Sequence, residues 1–201
     1  MGRMANHMAQ TNEAVRSAGT HSARVLWAIP LTLLLHAVTV AAESNLSASK
    51  ISAEIDAMGA KAVINRLSHA NVNAMGQSDW SRTMDEIWNG RPAFIALAPK
   101  LAAGADGAPA DDLGIALARA LPAAPASVLR VIDRRDGAIL GVSRICGAPF
   151  IDTPGKAASG YLDSAQSALD DVDTPGLQRV KAACLARLAL AAKHLDSRQG
   201  K

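Results

Sequence analysis

The chain has 201 residues, of which 21 are lysine or arginine and 18 are aspartate or glutamate, so its formal net charge is +3. Three basic residues but only one acidic residue precede Glu43, so residues 43–201 are nearly balanced in charge. This balance, without any basic run interleaved with aromatic residues, argues against a protein that binds nucleic acid or a membrane surface. Aromatic residues make up only 3% of the chain, and β-branched residues never alternate over a strand length, which favours a helical fold.

The first 42 residues form a predicted leader. A polar, basic start is followed at residues 25–42 by VLWAIPLTLLLHAVTVAA, which carries no charge while its histidine is neutral. Val40 and Ala42 fit the −3 and −1 positions of a signal-peptidase site before Glu43. We therefore expect a signal peptide, residues 1–42, cleaved near Ala42, and a periplasmic or secreted protein. The alternative is an uncleaved N-terminal membrane anchor, because about 18 apolar residues reach the lower limit of a bilayer span.

Residues 43–201 are predicted to form a single all-α domain. Apolar residues recur every three to five positions, and glycine and proline separate the segments. Predicted helices cover residues 50–68, the segment between Ser78 and Gly90, segments starting at Pro92 and Pro109, residues 126–133, residues 157–172 and a last segment capped by Thr174. Gly59 should weaken the first helix, and Pro99 should kink or split the third. We expect six to eight short helices in antiparallel pairs, forming one compact bundle.

The two cysteines, Cys146 and Cys184, are predicted to form a disulfide. They lie about 38 residues apart, and closing a loop of that length contributes about 3–4 kcal/mol in the chain-entropy treatment. Cys184 falls on the buried stripe of the last helix. Cys146 ends the apolar run 139–146, which we expect to be a short buried helix, because a lone strand would have no partner. Free thiols and a metal or redox pair are the alternatives, although no Cys-x-x-Cys occurs and only His69 and His194 follow the leader.

A longer pattern resembles known sequences. The layout WNGRPAFIALAPKLAAGADG, then DDLGIALARALP, then ICGAPFID resembles a recurrent pattern in small, uncharacterised, exported α-helical proteins of Gram-negative bacteria with one cysteine pair. It covers about residues 77–152 together with the cysteine of the final helix. The resemblance implies export and the disulfide, and it transfers no catalytic residues.

Trp80, Trp88 and Arg144 are the candidate partner surface. The two tryptophans fall on one helical face, which suits either an exposed binding site or the core of a helical hairpin. We prefer the core interpretation for this face, because core packing uses the same residues at the same spacing. Arg144 lies between apolar residues. It is expected to be partly buried and paired with Asp152 or Asp133, or else to extend to solvent.

No catalytic, cofactor-binding or metal-binding residue is predicted. The sequence lacks a P-loop, a dinucleotide-binding fingerprint, His-Glu-x-x-His and Gly-x-Ser-x-Gly. Asp85 and Glu86 are adjacent on a helix, so their side chains diverge by about 100° and form no acid–base pair alone. We predict a periplasmic, non-enzymatic interaction or accessory protein whose partner is another envelope protein. The alternatives are a cell-envelope hydrolase using Asp and Glu, and a helical protein that binds lipid or a small ligand.

Overall fold

The computed structural model describes residues 46–135, 137–147 and 156–199. Contacts divide the chain into two units, Met1–Ala41 and Ala42–Lys201, and every described residue belongs to the second. The predicted leader and Asp152 lie outside the described residues. Within the described ranges, no helix combines the length and apolar character needed to cross a bilayer.

The described part of the chain is mostly helical, which confirms the all-α prediction. Its helices are α1 Ala48–Met58, α2 Ala60–His69, α3 Asp79–Trp88, α4 Pro92–Ile95, α5 Ala98–Ala102, α6 Gly107–Ala120, α7 Pro125–Val131, α8 Val142–Ile145, α9 Lys156–Asp170 and α10 Gln178–Gln199. A 3-10 turn, Pro175–Leu177, precedes α10. In these ranges no strand occurs, and an isolated bridge joins Asp133 to Gly141. The prediction of six to eight helices is too low, because α4, α5 and α8 are separate helices of only four or five residues.

Glycine and proline set several helix ends where the sequence predicts them. Gly59 has a φ of +86°, a conformation suited to glycine, so the predicted first helix is divided into α1 and α2. Pro92 begins α4, and Pro99 lies in the first turn of α5, which splits the predicted third helix. Thr174 lies at the predicted N-cap position, ahead of the 3-10 turn that leads into α10, but its side chain makes no capping hydrogen bond.

Helix α6 lies at the centre of the packing. It contacts α3, α5, α7 and α8, and its Leu113 and Leu117 are fully buried. The Tyr161 hydroxyl of α9 donates a hydrogen bond to the Ala118 carbonyl of α6 at 2.7 Å. Because α3 packs along α6, this central helix supports the position of α3.

A buried charged network joins the first three helices. Asp79, at the start of α3, is only 4% exposed. Its Oδ2 accepts a hydrogen bond from Asn71 Nδ2 at 2.8 Å, and its carboxylate forms ion pairs with Arg82 and, at 3.9 Å, with Arg66. Arg66 of α2 also pairs with Glu54 of α1. Since a buried carboxylate needs such partners, the network fixes the N-terminal end of α3 to α1 and α2.

The predicted disulfide is present in the structure. Cys146, which follows α8 directly, is bonded to Cys184 of α10, and their Cα atoms are 5.2 Å apart. Both cysteines are fully buried. This geometry favours the structural disulfide over the free-thiol and metal alternatives. The apolar run before Cys146 contains α8 rather than a strand, as preferred from the sequence, and Arg187 of α10 also donates a hydrogen bond to Ser143 of α8.

Candidate functional site

Trp88 is exposed, although the other large apolar residues of the same helix are buried. Ser78 caps α3 through a hydrogen bond from the Ser81 backbone N–H. Trp80, Met84 and Ile87 are then buried on one face, whereas Trp88 is 46% exposed. At about 100° per residue, Trp88 lies about 80° around the helix from Trp80, at the edge of the buried face. The core prediction therefore holds for Trp80 and is wrong for Trp88.

The exposed ring of Trp88 borders a groove between α3 and α6, called here the Trp88 groove. Its volume is about 270 Å³. The residues that line it are Trp80, Ser81, Met84, Asp85 and Trp88 of α3, and Asp112, Ile115, Ala116 and Arg119 of α6. The groove thus has an apolar floor with charged and polar side chains at its edges. An apolar centre with a polar rim is the usual composition of a binding surface.

The Trp88 ring is held in place by a cation. The guanidinium carbon of Arg119 lies 4.1 Å from the centre of the ring. Such a cation–π contact contributes about 0.5–1 kcal/mol at an exposed site. The contact therefore favours one orientation of the indole at the protein surface.

Two carboxylates of the groove are held by neutral donors. Asp112 accepts a hydrogen bond from the Trp80 indole N–H at 2.9 Å. Asp85 accepts one from the side-chain amide of Gln77 at 3.3 Å. Neither Asp85 nor Asp112 forms an ion pair with any residue that the structure describes. No described cation therefore lies within ion-pair distance of either carboxylate.

Arg144 lies elsewhere and has a partner that the sequence did not suggest. Its Nη1 is 2.7 Å from Asp111 Oδ1, and its side chain is 38% exposed. Gly114 leaves room for it, because a Cβ at that position would lie 3.0 Å from Arg144 Cδ. Asp133 pairs instead with Arg135, its neighbour in the same turn. Arg144 does not line the Trp88 groove, so the three predicted surface residues do not form one surface.

Two further depressions differ from the Trp88 groove in their electrostatics. The larger, of about 760 Å³, lies beside α5 and the turn after α7, and Asp133 and Arg135 line it. Hydrogen bonds from Arg135 hold the pKa of the Asp133 carboxyl below its usual value. The smaller, of about 130 Å³, is lined by Glu54, Arg66 and Asp79 of the charged network. The carboxylates of both already pair with arginines of the protein, unlike those of the Trp88 groove.

The α6 side of the groove was missed at the level of sequence. Asp112, Ile115, Ala116 and Arg119 follow the spacing of one helical face, so their common orientation could be found from the sequence. That this face lies opposite Trp88 could not, because the pairing of α3 with α6 is a tertiary contact. In the described residues, no group of histidine, cysteine and acidic side chains could hold a metal ion.

Models of protein families, curated protein sequences and solved structures show no significant match to this chain.

Proposed function

We propose that the protein is an exported, non-enzymatic interaction protein that binds another protein of the cell envelope through the Trp88 groove. One observation carries the proposal. Trp88 is 46% exposed on a helix whose other large apolar side chains are buried. A large aromatic side chain left in solvent, oriented by Arg119 and flanked by an apolar floor, is the kind of anchor on which protein interfaces depend.

The composition of the groove supports a protein partner. Tryptophan and arginine are the residues most enriched among those that dominate binding energy, and here they stack on each other. The groove, at about 270 Å³, is smaller than the range of about 300–1,000 Å³ typical of pockets for small ligands. It has room for one or two side chains of a partner rather than for a whole drug-sized ligand.

The leader and the disulfide support the location that we propose. Residues 1–42 have the pattern of a signal peptide, and disulfides persist mainly in oxidising compartments such as the periplasm. We therefore propose cleavage near Ala42 and a partner in the envelope. We also propose that neighbouring helices pair antiparallel, because short connections favour that arrangement.

The proposal is tested by photocross-linking in cells. A photoreactive side chain replaces Ser81, which is exposed and lines the groove, and in a matched control it replaces Leu190, which is 45% exposed on α10. We expect a specific envelope protein to be cross-linked from position 81 and not from position 190. Adding Trp88→Ala should remove that cross-link. Equal capture from both positions, or capture that persists in the Trp88→Ala variant, would refute the role of the groove.

A further inference from the structure

Resting on the proposed function, we infer that the Trp88 groove selects a partner segment that places a lysine or arginine against Asp85 and Asp112, next to an apolar side chain on Trp88. This names the chemistry of the partner at the site. The groove offers an apolar floor and a net negative charge, and the occupant must complement both.

The charge balance of the groove points to a cation. Three ionisable side chains line it, Asp85, Asp112 and Arg119, so its formal net charge is negative. Arg119 lies over the Trp88 ring. A partner segment with a glutamate or aspartate would meet two like charges in the groove, which disfavours its binding.

Each of the two groove acids is next in sequence to an acid that forms an ion pair. Glu86, next to Asp85, pairs with Arg91 at 3.3 Å. Asp111, next to Asp112, pairs with Arg144 at 2.7 Å. In each of these two pairs of adjacent acids, the acid that lines the groove has no cationic partner among the described residues. At these two positions, therefore, the groove side of α3 and α6 carries a carboxylate that no described cation compensates.

Hydrogen bonds from uncharged donors orient both carboxylates of the groove. The Trp80 indole N–H holds Asp112, and the Gln77 amide holds Asp85, so each carboxylate is oriented before binding. An oriented carboxylate that still has accepting oxygen lone pairs is a good partner for a lysine or arginine, because charge-assisted hydrogen bonds are the stronger class. Met84, Ile115 and the Trp88 ring would then contact the apolar part of the segment.

The inference is tested with short peptides as probes. Acetyl-Leu-Lys-Leu-amide, its glutamine analogue and its glutamate analogue are titrated into ¹⁵N-labelled protein as isolated from expressing cells. Trp88→Phe assigns the Trp88 indole signal by its disappearance. We expect the lysine peptide to shift the indole signals of Trp80 and Trp88, with an affinity at least tenfold above that of the glutamine peptide. The glutamate peptide should produce no shift.

A pair of charge variants sharpens the test. In Asp85→Asn/Asp112→Asn, the lysine and glutamine peptides should bind equally. Asp111→Asn, on the same helix but paired with Arg144, should keep the full preference for lysine. If the wild-type protein binds the glutamine or glutamate peptide as well as the lysine peptide, or binds none of them, the inference is wrong.

Failure of the inference and failure of the proposed function give different results. A partner cross-linked from position 81 that binds with an acidic or uncharged segment would overturn the inference and leave the proposed function intact. Cross-linking to a second copy of the chain, or to its own residues 25–42, would overturn both. Preference for the lysine peptide without any Trp88-dependent cross-link would overturn the proposed function and keep the chemical preference of the groove.

Discussion

Different interactions stabilise the first three helices and the last helix of the domain. Helices α1, α2 and α3 are joined by ion pairs and hydrogen bonds around the buried Asp79. The segment that follows α8 is joined to α10 by a buried disulfide. A charged network needs each partner at a defined position, so it orients α3 and the groove beside it. A disulfide restrains the separation of two points, so it ties the last helix to the body of the domain.

Trp88 and Asp85 lie on α3, whose N-terminal end the network fixes, whereas neither cysteine lies on α3 or α6. We therefore expect the groove to depend on the network more than on the disulfide. Changes that break one region while sparing the other test this difference.

The largest effect is expected from breaking the network. Asp79→Ala removes the carboxylate shared by Arg66 and Arg82 and leaves two partly buried cations without it. Loss of one member of a buried ion pair costs about 3–5 kcal/mol. Asp106→Ala is the matched control, because its pair with Lys61 is exposed and worth about 0–1 kcal/mol. Urea unfolding measures both, and equal losses would show that the network contributes no more than a surface ion pair.

Breaking the disulfide should lower the free energy of unfolding by nearly as much, but its effect should be on α8 and α10. The bond closes a separation of 38 residues, which corresponds to about 3–4 kcal/mol of chain entropy in the unfolded state. Hydrogen exchange with and without reductant should show that α8 and α10 lose protection first while α3 and α6 keep theirs. The control is Cys146→Ala/Cys184→Ala, which should be insensitive to reductant. Uniform loss of protection would mean that the two ends are not separable.

Trp88→Ala should destabilise the protein by a smaller amount. The ring is 46% exposed, so its removal sacrifices part of its buried area and the contact with Arg119, about 1–2 kcal/mol. Trp80→Ala, at a site only 5% exposed, should cost about 3–5 kcal/mol. Thermal unfolding of the two variants compares them. Equal destabilisation would place Trp88 in the core and remove the reason to regard it as a binding residue.

The smallest effect concerns a contact between α9 and α6. Tyr161→Phe removes the hydrogen bond to the Ala118 carbonyl and should cost about 1 kcal/mol, because that carbonyl still accepts from the Leu121 backbone N–H. Burial raises the pKa of the Tyr161 hydroxyl above its ordinary value, so the folded state favours the neutral form. The resulting stabilisation is complete below the unfolded pKa, about 10, and is lost as pH rises from there toward the folded pKa.

Urea unfolding between pH values of about 9 and about 11 checks this sign. The difference in stability between wild type and Tyr161→Phe should shrink as pH rises. Since Tyr161 is the one tyrosine of the chain, its absorbance change on ionisation reports the same event directly. A difference that stays constant or grows with pH would contradict the raised pKa.

Local features of the fold could be predicted from the sequence, whereas its long-range polar contacts could not. Ser78, Gly59 and Pro92 act through the backbone near them, so their effects follow from residue type and spacing. The cysteine pair could be predicted because the chain has only two. Asp79, by contrast, appears in the sequence as an ordinary acid in the first turn of a helix.

The burial of Asp79 and its partners on other helices depend on how α1, α2 and α3 pack. The same limit applies to the groove, whose two walls are separate helices. Arg119 and Asp112 become functional candidates only when α6 lies against α3, and Trp88 leaves the core because it falls at the edge of a buried face.

The central claim is that Trp88 anchors a protein partner. Its most direct test is isothermal titration calorimetry of the partner cross-linked from position 81 against wild type, Trp88→Ala and Met58→Ala. Met58 is a matched control, since it is a large apolar residue 53% exposed on α1, outside the groove. We predict at least tenfold weaker binding for Trp88→Ala, about 1.4 kcal/mol or more, and unchanged binding for Met58→Ala. Equal affinities for all three proteins would contradict the claim.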